Sequence, residues 1–159
     1  MRLVRELRPH SCLELGTGIG ISAAYEAAAL ELNGDGGLVT LDGSAEWAAI
    51  AEEGLSSLGL GGVEFSVGPI ADTLPDALQR SAPVDYAFVD AEHTEEATVG
   101  YFESIVPHMS PRGVMVFDDI PWTRELRRTW RRIAHDERVS AAFALGRMGV
   151  AVISERAST

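Results

Sequence analysis

The sequence contains no lysine; all 13 of its basic side chains are arginine, set against 24 acidic ones. Lysine is therefore absent from any account of its chemistry. The net charge of −11 argues against a general nucleic-acid binder, which needs a basic footprint to displace counterions. There is one cysteine, Cys12, which excludes an internal disulfide framework and cannot by itself build a cysteine zinc site. It lies in the apolar run Ser11-Cys12-Leu13-Glu14-Leu15 and reads as a buried core thiol. No apolar run approaches the length of about 18 residues that a membrane span requires. The first residues, Met1-Arg2-Leu3-Val4-Arg5-Glu6-Leu7-Arg8, alternate charge with apolar side chains and hold no signal-peptide core. A reducing, cytoplasmic location is the expectation.

What is present suits one domain spanning residues 1–159. A chain of 159 residues buries roughly 70% of the surface that its unfolded form exposes. Its 46% apolar and 23% charged composition excludes disorder, collagen and coiled coil. Strand-like runs at Cys12–Leu15, Leu38–Asp42, Val63–Val67, Val84–Asp90 and Val114–Asp118 alternate with longer segments of helical spacing. Those segments are about Gly20–Leu32, Ser44–Leu58, Ala71–Gln79, Thr94–His108 and Thr123–His135. Turn chemistry separates them at Asn33-Gly34-Asp35-Gly36-Gly37 and Pro111-Arg112-Gly113. The alternation predicts a mostly parallel α/β sheet with helices on both faces. Val139–Leu145 and Met148–Ser154, joined by Gly146-Arg147, predict a closing antiparallel hairpin, for seven strands in all.

In such sheets, ligands bind beyond the carboxyl ends of the strands. Four of the five parallel strands end on or beside an acid, namely Glu14, Asp42, Asp90 and Asp118-Asp119. After the first strand runs Glu14-Leu15-Gly16-Thr17-Gly18-Ile19-Gly20-Ile21-Ser22, opening the first long helix. The glycines allow a tight turn and close ligand approach, and the helix start offers unpaired N–H groups to an anion. A dinucleotide fingerprint would place its third glycine where Ile21 stands, so the spacing points away from NAD. Asp42, 28 positions after Glu14, can accept both hydroxyls of a ribose, or can cap the helix that starts near Ser44.

Glu14 to Gly20 resembles the first motif of class I S-adenosylmethionine-dependent methyltransferases, which have a Rossmann-like fold. Gly20-Ile21-Ser22 resembles the form found in small-molecule O-methyltransferases of the catechol and caffeoyl-CoA type. Phe88-Val89-Asp90-Ala91-Glu92-His93 and Phe117-Asp118-Asp119-Ile120-Pro121-Trp122 resemble their strand-four and strand-five motifs. The likeness runs from residue 11 to about 154 and is nearest to a bacterial branch with a His after the fourth strand. It implies a methionine-binding set of Glu14, Gly16, Thr17, Gly18, Gly20 and Ser22, with Asp42 and Gly43 at the ribose. It places Ile70 beside the adenine, where Gly68-Pro69-Ile70 lacks the usual polar contact unless Asp72 supplies it. Asp90 would lie near the transferred methyl group.

Asp90, Asp118 and Asp119 repel one another unless a cation compensates, and oxygen ligands suit Mg²⁺ or another hard divalent ion. Catechol-type relatives bind such a metal at the matching positions. His93 stands where those relatives carry a lysine base, and an imidazole can take a proton near neutral pH. Each has a plainer reading, in which Asp118-Asp119 and His93 merely start helices. The arginines of the fifth helix, Arg124, Arg127, Arg128, Arg131 and Arg132, read first as a solvated face, with a patch for RNA or an anionic substrate as the alternative.

The resemblance implies methyl transfer to an oxygen of a small molecule. Transfer to nitrogen, or a non-catalytic cofactor-binding domain, stays open. Only ten residues precede the first strand, so a second copy in a homodimer, or a longer native chain, is expected to close the acceptor pocket.

Overall fold

Periodicity in this chain switches between two and 3.6, and the computed structural model follows each switch. It describes residues 2–155. Two compact units divide the chain, Met1–Ser81 and Ala82–Thr159.

The first unit runs α1 (Arg2–Leu7), β1 (Ser11–Leu15), α2 (Ile21–Asn33), β2 (Gly37–Asp42), α3 (Ala45–Ser57), β3 (Val63–Val67) and α4 (Ile70–Ser81). All strand pairs are parallel: Leu15 stands opposite Leu41, and Asp42 opposite Val67. The fully buried Leu13, Leu15, Leu38 and Leu41 make the sheet core. Cys12 is buried there, as its apolar run implied. Helix α1 is the element that periodicity missed, because six residues are too few to show a period. Tertiary contacts hold it instead: the Arg5 guanidinium donates to Asn33 Oδ1 at 2.9 Å, and Asn33 Nδ2 donates to the Val4 carbonyl at 3.1 Å.

The second unit runs β4 (Val84–Val89), α5 (Glu95–Ile105), a 3-10 turn, β5 (Met109–Phe117), α6 (Arg124–Ala134), β6 (Val139–Leu145) and β7 (Met148–Ile153). β4 and β5 are parallel, and β7 pairs antiparallel with both β5 and β6. The hairpin about Gly146-Arg147 is therefore as expected. Pro111-Arg112-Gly113 is no inter-element turn: it lies inside β5. Between Val84 and Tyr86, β4 advances two residues while β5 advances from Met109 to Val114, and Arg112 takes φ 65°. The turn residues thus build a bulge within one strand.

Candidate functional site

In the first unit, the loop after β1 is shaped by left-handed glycines: Gly16 at φ 97°, Gly18 at 52° and Gly20 at 84°. At Gly20 a Cβ would also lie 2.7 Å from that of Ala51, so the start of α2 can approach α3 only without a side chain. Helices α3, α5 and α6 are capped by Ser44, Thr94 and Thr123, whereas α2 begins with no side-chain cap. Its first-turn N–H groups face the loop, and its positive dipole end suits an anionic group.

Asp42 ends β2 and is buried. Its Oδ2 accepts the Gly18 N–H and its Oδ1 accepts the Ser44 N–H, each at 2.7 Å. A carboxylate offers roughly four lone-pair sites, so two of them remain for ligand hydroxyls. Beneath the loop lies a buried relay that motif reading missed in part. The Thr40 hydroxyl donates to Glu14 Oε2 at 2.6 Å, which leaves Thr17 to donate to Thr40, also at 2.6 Å. Glu14 itself is 0% exposed and reaches the loop through Thr40 and Thr17. Thr40 escaped notice because a strand threonine has no motif. Ser22 is half-buried, Gly43 exposed, and Ile70 buried at the start of α4. The loop, the uncapped helix and the strand-end acid fit a cofactor with a charged end group and vicinal hydroxyls.

In the second unit, the ends of β4 and β5 bring Asp90, His93, Asp118 and Asp119 into one neighbourhood. His93 Nε2 lies 3.6 Å from Asp90 Oδ1. Backbone strain concentrates there: Glu92, His93 and Asp119 are left-handed at φ 57°, 42° and 55°. Glu92 is tethered by Tyr101, whose hydroxyl donates to its Oε1 at 2.7 Å; burial and this carboxylate raise the Tyr101 pKa and keep the phenol neutral. The exposed Trp122 meets the His93 ring edge-on, with centroids 5.2 Å apart. Burial first, then the charge of Asp118, raises the Asp90 pKa; Asp119 adds to the rise, while His93 and Arg147 oppose it.

A cation of the chain itself faces two of these acids. Arg147 Nε and Nη2 donate to Asp118 Oδ1 and Oδ2 at 2.9 Å each, and Nη2 also reaches Asp119 Oδ1 at 2.9 Å. Arg147 sits at the hairpin tip, remote in sequence, and the hairpin pattern that includes it gave it no role at the site. Of the expected metal set of Asp90, Asp118 and Asp119, Asp118 has both oxygens engaged by Arg147 in this structure. Among the described residues, the group able to offer converging donors is Asp90, His93 and Asp119, whose ligand atoms lie within 4.8 Å of one another.

A family model described as a methyltransferase domain matches residues 13–120, more than half the sequence, and the chain belongs to that family. Cofactor-bound Rv0187 from MTB superposes with a TM-score of 0.84 at 25% identity, over 98% of this chain and 78% of its own. The O-methyltransferase from Bacillus cereus in complex with SAH has a TM-score of 0.80 at 26% identity, covering 96% and 78%. The O-methyltransferase TomG from Streptomyces achromogenes, involved in tomaymycin synthesis and solved with SAM, has a TM-score of 0.81 at 28% identity, covering 96% and 77%. No curated protein matches the sequence. The fold is the Rossmann-like, mostly parallel seven-stranded one with an antiparallel C-terminal hairpin. Among the described residues no helix is long and apolar enough to cross a membrane.

Proposed function

We propose that this chain transfers the methyl group of S-adenosylmethionine to a hydroxyl oxygen of a small molecule, with residues 1–159 acting as one methyltransferase domain. The reading keeps it in the cytoplasm, where the buried Cys12 stays a thiol. The observation that carries the proposal is the glycine loop anchored on Asp42, in a chain of the methyltransferase family. Two of its structural relatives are O-methyltransferases solved with SAH and SAM.

S-adenosylmethionine supplies an electrophilic methyl on a sulfonium, which leaves as a neutral thioether. The protein's task is then alignment and one proton transfer. Gly16 to Gly20 and the start of α2 would receive the methionine end. Asp42 would accept the ribose hydroxyls with its remaining lone pairs. His93 would take the acceptor's hydroxyl proton as oxygen attacks carbon, and the neighbouring Asp90 would stabilise the imidazolium that forms. Arg147 keeps Asp118 and Asp119 from adding their full repulsion to Asp90.

One observation favours a second reading of the same residues. Asp90, His93 and Asp119 offer one donor each within 4.8 Å, a spacing that can hold a divalent cation such as Mg²⁺ or Mn²⁺. On that reading His93 is a ligand and cannot also be the base. Methyl transfer from labelled S-adenosylmethionine to a panel of phenols and amines tests both. The base reading expects turnover to survive chelation and to fall about 10²–10⁴-fold in His93→Ala. Loss on chelation with recovery on adding Mg²⁺ or Mn²⁺ replaces it with the metal reading. Transfer to amines alone overturns the oxygen assignment, and no binding of S-adenosylmethionine overturns the whole.

A further inference from the structure

Helix α6 has a face that methyl transfer does not use. Its inner side packs Leu126, Thr129 and Ile133, with the Trp130 ring against Gly149. Its outer side exposes Arg124, Arg127, Arg128, Arg131 and Arg132. In a chain of net charge −11, these are five of 13 basic residues, and Glu125 is the one acid among them. Among the described residues none of the five forms an ion pair with a carboxylate, although the chain's acids outnumber its arginines. Arg127 donates to the Pro121 carbonyl, and Arg132 feels Glu103 and Asp136, which Arg138 already binds.

Arg131 and Arg132, in the last turn, suit the negative end of the helix dipole, but the spacing of the five works against the fold. Arg124 and Arg128, Arg127 and Arg131, and Arg128 and Arg132 stand four apart; Arg124 and Arg127, and Arg128 and Arg131, stand three apart. Like charges at those spacings are neighbours on a helix and destabilise it. Arg124 also places a cation at the positive end of the helix dipole. A face meant only for water would intersperse acids, which this chain has in excess.

We propose that the outer face of α6 is a docking surface for an acidic protein surface. The ridge is convex and about 12 Å long, so its guanidinium groups diverge; a small anion needs donors converging in a hollow. Nucleic acid is disfavoured because the outer face carries no aromatic platform, Trp130 being turned onto Gly149. Carboxylates repeating along a facing helix match the intervals of the ridge, and bidentate guanidinium–carboxylate pairs would relieve the repulsion among the arginines. The ridge begins two residues after Trp122, so a partner seated on it lies beside the acidic cluster.

Fluorescence anisotropy tests this on the whole chain, with labelled poly-L-glutamate as the probe and oligo-uridylate of equal charge as the counter-probe. Poly-L-glutamate should bind at low salt and weaken more than tenfold between about 50 and 200 mM salt. The double variant Arg128→Glu/Arg131→Glu should lose at least tenfold, and Arg80→Glu, on α4, should lose nothing. The double variant should also melt at a higher temperature than the parent, because it removes like-charge pairs. A supporting ion-pair face would instead melt lower. Arg128→Gln/Arg131→Gln repeats the test without reversing charge. No binding of poly-L-glutamate, binding that survives the substitutions, a lowered melting temperature in both variants, or tighter binding of oligo-uridylate each overturns the proposal.

Discussion

Asp42 holds its own loop before it holds anything else, since its two oxygens accept the Gly18 and Ser44 N–H groups at 2.7 Å. That an acid would end β2 was readable from the strand pattern. That it would also shape the glycine loop was not, because the partner amides lie 24 residues upstream and two downstream. Asp42→Ala therefore removes an acceptor from the ligand and from the backbone together. Calorimetric titration with S-adenosylhomocysteine should show affinity weakened by about 1.5–3 kcal/mol, the range for hydrogen bonds to a charged group. Amide exchange at Gly18 and Ser44 should rise in the same variant. Unchanged affinity would leave Asp42 as a loop anchor alone. The acid cluster was legible in a similarly partial way: Asp90, Asp118 and Asp119 announce themselves at strand ends, whereas Arg147 meets Asp118 across 29 positions. A contact between a strand end and a hairpin tip leaves no local pattern in the sequence.

Elements were readable where periodicity is long, and not where tertiary contact decides. The five parallel strands and the hairpin follow their apolar runs, but β5 starts five residues before Val114 because a bulge absorbs Pro111-Arg112-Gly113. Two contacts fix the last elements of the second unit. Gly149 on β7 lets the Trp130 ring of α6 lie where a Cβ would be 2.6 Å from the ring. Gly149→Ala should cost about 1–3 kcal/mol through overpacking, read as a lower melting temperature, and Trp130→Leu in the same chain should recover part of it. Arg138, at the end of the loop before β6, grips Glu103 of α5 and Asp136 with paired hydrogen bonds of 2.8–2.9 Å and lies 4.9 Å from the Phe102 ring centroid. It holds both carboxyls below their ordinary pKa, chiefly by those hydrogen bonds. A depressed carboxylate adds stability above its unfolded pKa and loses it as pH falls through the folded value. Arg138→Met should thus cost about 1 kcal/mol at pH 7, once solvent screening of this half-exposed group is discounted. Thermal melts should show the gap closing as pH drops below about 4. A gap independent of pH would assign the contribution to packing on Phe102.

At the scale of the molecule, order mattered more than any one motif. Acids recur at successive strand ends, a glycine loop follows the first, and a hairpin follows the last helix; that sequence of features made the fold legible. The chemistry of the second unit's acid–histidine cluster was not legible, because its side chains come from loops whose left-handed residues, Glu92, His93 and Asp119, follow no propensity rule. Cofactor choice is where the whole chain can be tested at once. A ligand that binds only the folded protein stabilises it by mass action, by about 2.7 kcal/mol at a hundredfold excess over its dissociation constant. For a protein of 159 residues that corresponds to a rise in melting temperature of about 5–10 °C. S-adenosylhomocysteine at that excess should produce the rise. NAD at the same concentration should produce none, since Ile21 stands where a dinucleotide loop needs its third glycine. The gain should shrink in Asp42→Ala and persist in His93→Ala, separating loss of donor binding from loss of the proton acceptor. Equal shifts with both ligands would mean that the loop recognises an adenosine in general, and the methyl-donor reading would lose its main support.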